Sequence, residues 1–167
     1  MYTESMKQMG RFRRPKWQAF TLIEVLVVCA IMVMLATMLI AGYVRFNQKR
    51  KVEAAALDFA TFLRTQQKKA NSGDLTGCVA GTQFLGYYVK VDTSADNQTA
   101  TYQALCNATA ANYKLKNDTF FEEDFSVTFL PLSHGATLPD GDTVVSKGTN
   151  RFSISVDKQG AILVQAL

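Results

Sequence analysis

An unbroken run of twenty uncharged, mostly apolar residues, Val25 to Val44, limits what this chain can fold into more than any other feature. At about 1.5 Å of rise per residue, such a helix matches the ~30 Å hydrocarbon core of a bilayer. Arg45 closes the run, no Pro interrupts it, and Glu24 is the charge at its other end. A carboxylate at the lip of an apolar segment is costly until it finds a partner or a proton. Glu24 is therefore the first candidate functional residue.

Charge partitions around that run. Residues 1–52 hold nine Lys/Arg against Glu4 and Glu24, whereas residues 53–167 hold nine against twelve Asp/Glu. The basic character flanks the apolar segment and the remainder is mildly acidic. Nucleic-acid binding asks for a basic stripe on the folded domain, so no such contact is expected; a juxtamembrane contact with anionic lipid is. The leader, Met1 to Gln18, is polar and carries five Lys/Arg. In an ordinary cleaved secretory signal a shorter apolar region precedes a small-residue cleavage site. Here the run is too long and no such site follows, so a retained helix is expected. The positive-inside rule places the leader in the cytoplasm, against the opposing pull of Arg45, Lys49, Arg50 and Lys51.

The junction between leader and run reads Ala19-Phe20-Thr21-Leu22-Ile23-Glu24-Val25. In this order, basic leader, FTLIE and apolar run, it resembles the class III leader motif of type IV pilins and of the pseudopilins of type II secretion. The resemblance implies that a prepilin peptidase cuts between Ala19 and Phe20 and then N-methylates Phe20, leaving Glu24 as the fifth mature residue. Ala19 stands where that family usually has Gly, and Ala41 where many members carry a helix-kinking Pro. Cleavage is still expected, with a straighter helix. The resemblance further implies a single-pass protein of the bacterial inner membrane, with its C-terminal domain extracytoplasmic, later packed into a pilus or pseudopilus by a motor ATPase. Its expected partners are other pilin or pseudopilin subunits through the N-terminal helix, the prepilin peptidase, an inner-membrane platform protein and membrane lipid. The physics of Glu24 agrees. Cleavage creates an α-amino group of opposite sign at nearly the same depth, and in a staggered bundle one subunit's amine can neutralise its neighbour's Glu24.

Beyond Arg45 the helix is expected to continue. Phe46 to Ala70 contains no Gly or Pro, and Val52, Ala55, Ala56, Phe59, Phe62 and Leu63 recur at spacings of three and four. Asn71-Ser72-Gly73-Asp74 supplies the stop. Strand grammar follows. Phe84–Val91 and Thr99–Cys106 read as a hairpin across Asp92–Gln98, and Phe125–Phe129 alternates with period two. Leu138–Asp142 reads as a turn, and Arg151–Val156 and Ala161–Val164 flank the loop Asp157–Gly160. The expected fold class is α+β, pilin-like: a long N-terminal α-helix, half membrane-spanning and half amphipathic, packed on a C-terminal antiparallel β-sheet of six or seven strands. Its expected segments are a leader (1–19), a transmembrane and filament-core helix (20–44), an amphipathic continuation (45–71) and an extracytoplasmic β-rich domain (75–167). The order of elements and the closing hairpin also resemble the minor H-type pseudopilins and FimT-like pilins.

Candidate chemistry is sparse. His134, the only histidine, has no evident partner for general-base work. Glu122-Glu123-Asp124 could offer oxygen ligands, but three consecutive acids do not face one ion without a special turn, so a solvated loop is expected. Cys29 lies in the apolar run and is expected to be a small buried hydrophobe. Cys78 and Cys106 fit one disulfide if their half of the chain faces an oxidising compartment, and two buried thiols otherwise; their spacing fits no zinc motif. The N-x-T triplets at Asn97, Asn107 and Asn117 read as accidents of an Asn- and Thr-rich region. Tyr87, Tyr88, Tyr102, Phe120 and Phe121 read as sheet core. No catalytic site, cofactor or metal is expected. The function expected is that of a filament subunit; the alternative is a monomeric, membrane-anchored extracytoplasmic binding module. Removing residues 1–19 takes five Lys/Arg and one acid, leaving thirteen of each, and a neutral chain opposes side-by-side packing little.

Overall fold

The computed structural model describes residues 20–140 and 142–167. The leader 1–19, with the expected cleavage residue Ala19, lies outside the described residues, as does Gly141 of the expected Leu138–Asp142 turn. The chain divides into two compact units, residues 1–41 and 42–167, and one helix, α1 (Leu22–Ser72), contributes to both.

In the first unit the described residues from Leu22 onward are helical, without a break at Ala41, and every side chain described there is exposed. The segment is long and apolar enough to cross a membrane, and none of its most apolar window is buried among the described residues.

In the second unit α1 packs on two antiparallel sheets. Their strands are β1 (Tyr87–Val91), β2 (Thr99–Ala104), β3 (Ala111–Lys114), β4 (Phe120–Phe121), β5 (Phe125–Phe129), β6 (Ala136–Asp140), β7 (Thr143–Lys147), β8 (Asn150–Val156) and β9 (Ile162–Ala166). One sheet runs β3-β2-β1-β5-β6 and the other β4-β7-β8-β9. Val52, Ala55, Ala56, Phe59, Ala60, Leu63 and Ala70 bury one face of the helix. Opposite them lie Val89 and Val91 of β1, Phe125, Val127 and Phe129 of β5, and Ile154 of β8. Strand alternation explains the fit: Tyr87, Val89 and Val91 point inward while Lys90 points out. The register pairs Val89 with Tyr102 on one side and Val127 on the other.

The helix ends in a Schellman arrangement. Gly73, at φ 65°, donates its N–H to the Ala70 carbonyl (3.1 Å), and Asp74 donates to Lys69 (3.0 Å). At Gly86, φ 128°, a β-carbon would collide with the Phe129 carbonyl oxygen. That close approach lets the chain enter β1 beside β5, and it starts β1 at Tyr87 rather than at the expected Phe84.

Three expectations change. The β-domain holds two sheets, not one, and nine strands among the described residues, not six or seven. Leu138–Asp140 is strand rather than turn. It belongs to β6, an edge strand, where a Pro costs no ladder hydrogen bond. β7 escapes the alternation test because consecutive residues Thr143 to Ser146 are all buried, so both of its faces are covered.

Candidate functional site

The N-terminal turn of α1 is built by Thr21. Its hydroxyl accepts the Glu24 N–H at 3.3 Å, and its carbonyl accepts the same N–H at 3.1 Å and that of Val25 at 3.3 Å. Thr21-x-x-Glu24 has the spacing of a capping box, of which the threonine half is formed. Sequence reasoning passed over this signal, because the apolar run drew attention to Glu24's charge and not to its position in the first turn. Glu24 therefore has a local reason to be where it is, since a carboxylate there also meets the positive end of the helix dipole. Phe20, the expected methylation site, precedes the helix and is 77% exposed. From Leu22 to Val44 the described large apolar side chains are exposed, Leu22 by 83%. Inside the run Thr37 returns its hydroxyl to the Met34 carbonyl (2.8 Å), which removes an unpaired donor from an apolar surface. Cys29, on the same stretch, is a free thiol that is exposed rather than buried as expected, since no described residue packs over this part of the helix.

Past the run the helix surface turns basic. Arg45, Lys49, Arg50 and Lys51 follow in seven residues. The Arg50 guanidinium lies 5.2 Å from the Phe46 ring centre and 3.3 Å from the Glu53 carboxylate.

At the other end of the domain, Cys78 and Cys106 form a disulfide with their Cα atoms 5.3 Å apart. It ties the loop after α1 to the end of β2, and the Thr82 hydroxyl reinforces it by donating to the Cys106 carbonyl (2.9 Å).

The acidic triplet does not converge. Glu122 pairs with Arg151, the Glu123 carbonyl accepts the Thr143 hydroxyl, and Asp124 accepts the Thr93 hydroxyl (2.6 Å) and N–H (2.8 Å). Those Thr93 bonds hold the Asp124 carboxyl below its ordinary range. Among the described residues no group of three or more His, Cys, Asp and Glu is disposed to hold a metal. His134 closes its own loop, its Nδ1 lying 2.7 Å from the Pro131 carbonyl. Asn107 and Asn117 sit at positive φ, so these N-x-T asparagines occupy left-handed turn positions. Tyr87 and Phe121 are core, Tyr102 packs edge-on to Phe62, and Phe120 departs from expectation by facing solvent.

Two sets of features stand separately: in the first unit an apolar helical segment, exposed among the described residues, with a capped acidic first turn, and in the second a basic collar on the helix and a disulfide-tied β-domain. The chain matches no family model, no curated protein and no solved structure.

Proposed function

We propose that the chain is a pilin-like filament subunit, inserted in a membrane as a precursor, cut between Ala19 and Phe20, N-methylated at Phe20, and then packed helix to helix in a pilus or pseudopilus, as a minor subunit. The observation that carries this reading is the helix surface from Val25 to Val44, uncharged, mostly apolar and exposed among the described residues. Such a surface needs lipid first, and neighbouring copies can replace the lipid as the filament forms. The FTLIE junction supports the step between the two, because trimming would expose an amine beside the first-turn carboxylate. Glu24 then has two roles, a local one in the helix cap and an intermolecular one toward the amine of the next copy. Peptidase and platform protein act on the chain; the chain itself carries out no reaction.

Intact-mass and N-terminal analysis of the native protein is the direct test. A chain beginning at methylated Phe20 is the expected result. An uncut chain beginning at Met1 and remaining monomeric would make the protein an anchored binding module instead. Glu24→Gln keeps the size of the side chain and removes its charge. Membrane insertion is expected to survive, while incorporation into filaments, measured in sheared fractions, falls by tenfold or more, about the effect of losing a 1.4 kcal/mol charge pairing.

A further inference from the structure

A groove of about 340 Å³ lies where α1 leaves the apolar run, lined by Phe46, Lys49, Arg50 and Glu53 of the helix, Phe152 of β8 and Ala166 of β9. We infer that it binds the headgroup of an anionic phospholipid, with the phosphate on Lys49 and Arg50 and the glycerol end against Phe46 and Phe152.

Three observations meet here. The first is depth. The apolar run ends at Val44, and Phe46 to Arg50 follow about 3–9 Å further along the helix axis. The headgroup layer of one leaflet is on the order of 5–8 Å thick, so these residues span it. The second is charge. Arg50 is steadied by the Phe46 ring and by Glu53, 3.3 Å away. Lys49 has no ion pair among the described residues. Arg45, one turn earlier on the same helix face, adds to the surplus. The third is composition. Two cations, one of them shared with the Glu53 carboxylate, against two aromatic walls leave a net positive groove that suits a phosphodiester joined to an apolar tail, since a guanidinium and an ammonium hold the oxyanions while the rings take the carbon skeleton. An acidic protein surface would answer the charge but has no use for the aromatic walls at headgroup depth. The inference rests on reading residues 25–44 as a bilayer span; it does not require that filaments form.

The test uses the full chain in vesicles containing phosphatidylglycerol with a photoactivatable headgroup, or phosphatidylcholine with the same group. After illumination the protein is digested and adducts are mapped. Adducts are expected both on the segment 46–53 and on peptides carrying Phe152 or Ala166, about a hundred residues away in sequence yet on the same groove. Lys49→Gln with Arg50→Gln is expected to cut labelling on the order of tenfold while the protein still floats with the vesicles. Adducts confined to the helix, equal labelling from phosphatidylcholine, or labelling unchanged in the double variant would overturn the proposal. The groove would then be open to an acidic protein surface. Loss of vesicle flotation by the unaltered chain would overturn it differently, by removing the span on which it stands.

Discussion

Phe59 lies within ring-contact distance of four other aromatic side chains, Phe62, Tyr113, Phe121 and Phe125, with centroids 4.9 to 6.5 Å apart. It is fully buried and joins the helix to both sheets, since Phe121 belongs to one and Phe125 to the other. Phe59→Ala should therefore destabilise the domain by about 3–5 kcal/mol, read as a lower denaturant midpoint. The surface carboxylates act more gently. Asp92 is held down to about 2 by the Ser94 hydroxyl and then by the Lys90 ammonium, and Asp74, Asp96 and Asp124 are lowered by neighbouring threonine hydroxyls and N–H groups. A carboxyl whose folded value lies below its unfolded one lends stability above the unfolded value, and that stability goes as the group protonates. The denaturant midpoint should thus fall as pH drops from about 4 to about 2, and Asp92→Asn should make the fall shallower. A midpoint flat across that window would contradict the assignment.

At the scale of elements, α1 was the most legible part of the chain. Its amphipathic stripe, glycine stop and helix-forming composition are local signals, and the buried face follows them through Leu63 before extending to Gln66 and Ala70. Phe62, expected in the stripe, is half-buried and serves Tyr102 and Tyr113 instead. The strands were legible where one face meets the core and the other is at least partly exposed, as in β1 and β8, and in β5 through its alternation of apolar and polar residue types, although Ser126 is itself buried. They were illegible where that contrast fails: β4 has two residues, β6 contains Pro139, and β7 is buried on both faces. The groove beneath the basic collar was beyond reach for a related reason, because Phe152 and Ala166 join Lys49 only through the tertiary fold. The disulfide closes a loop between residues 28 apart in sequence. Replacing both cysteines by alanine should cost the domain about 3.5 kcal/mol on the chain-entropy account, with reductant giving a comparable loss in the native protein. Equal denaturant midpoints with and without reductant would show that the bond adds nothing.

At the scale of the molecule, an uncovered apolar helix and a well-packed β-domain share one chain, and each asks for a different surrounding. The helix needs a solvent without water, while the β-domain buries its own core and leaves its acidic loops exposed. On the proposed topology these needs are met in sequence, with lipid around the helix first and neighbouring helices later. On that topology the Cys78–Cys106 bond would set a timetable for the sequence. Thiols stay reduced in the cytosol, so the loop after the helix would be locked only once the domain had crossed. Export machinery would therefore handle a looser head than the one finally displayed, and the compartment on the far side would decide when a subunit is finished.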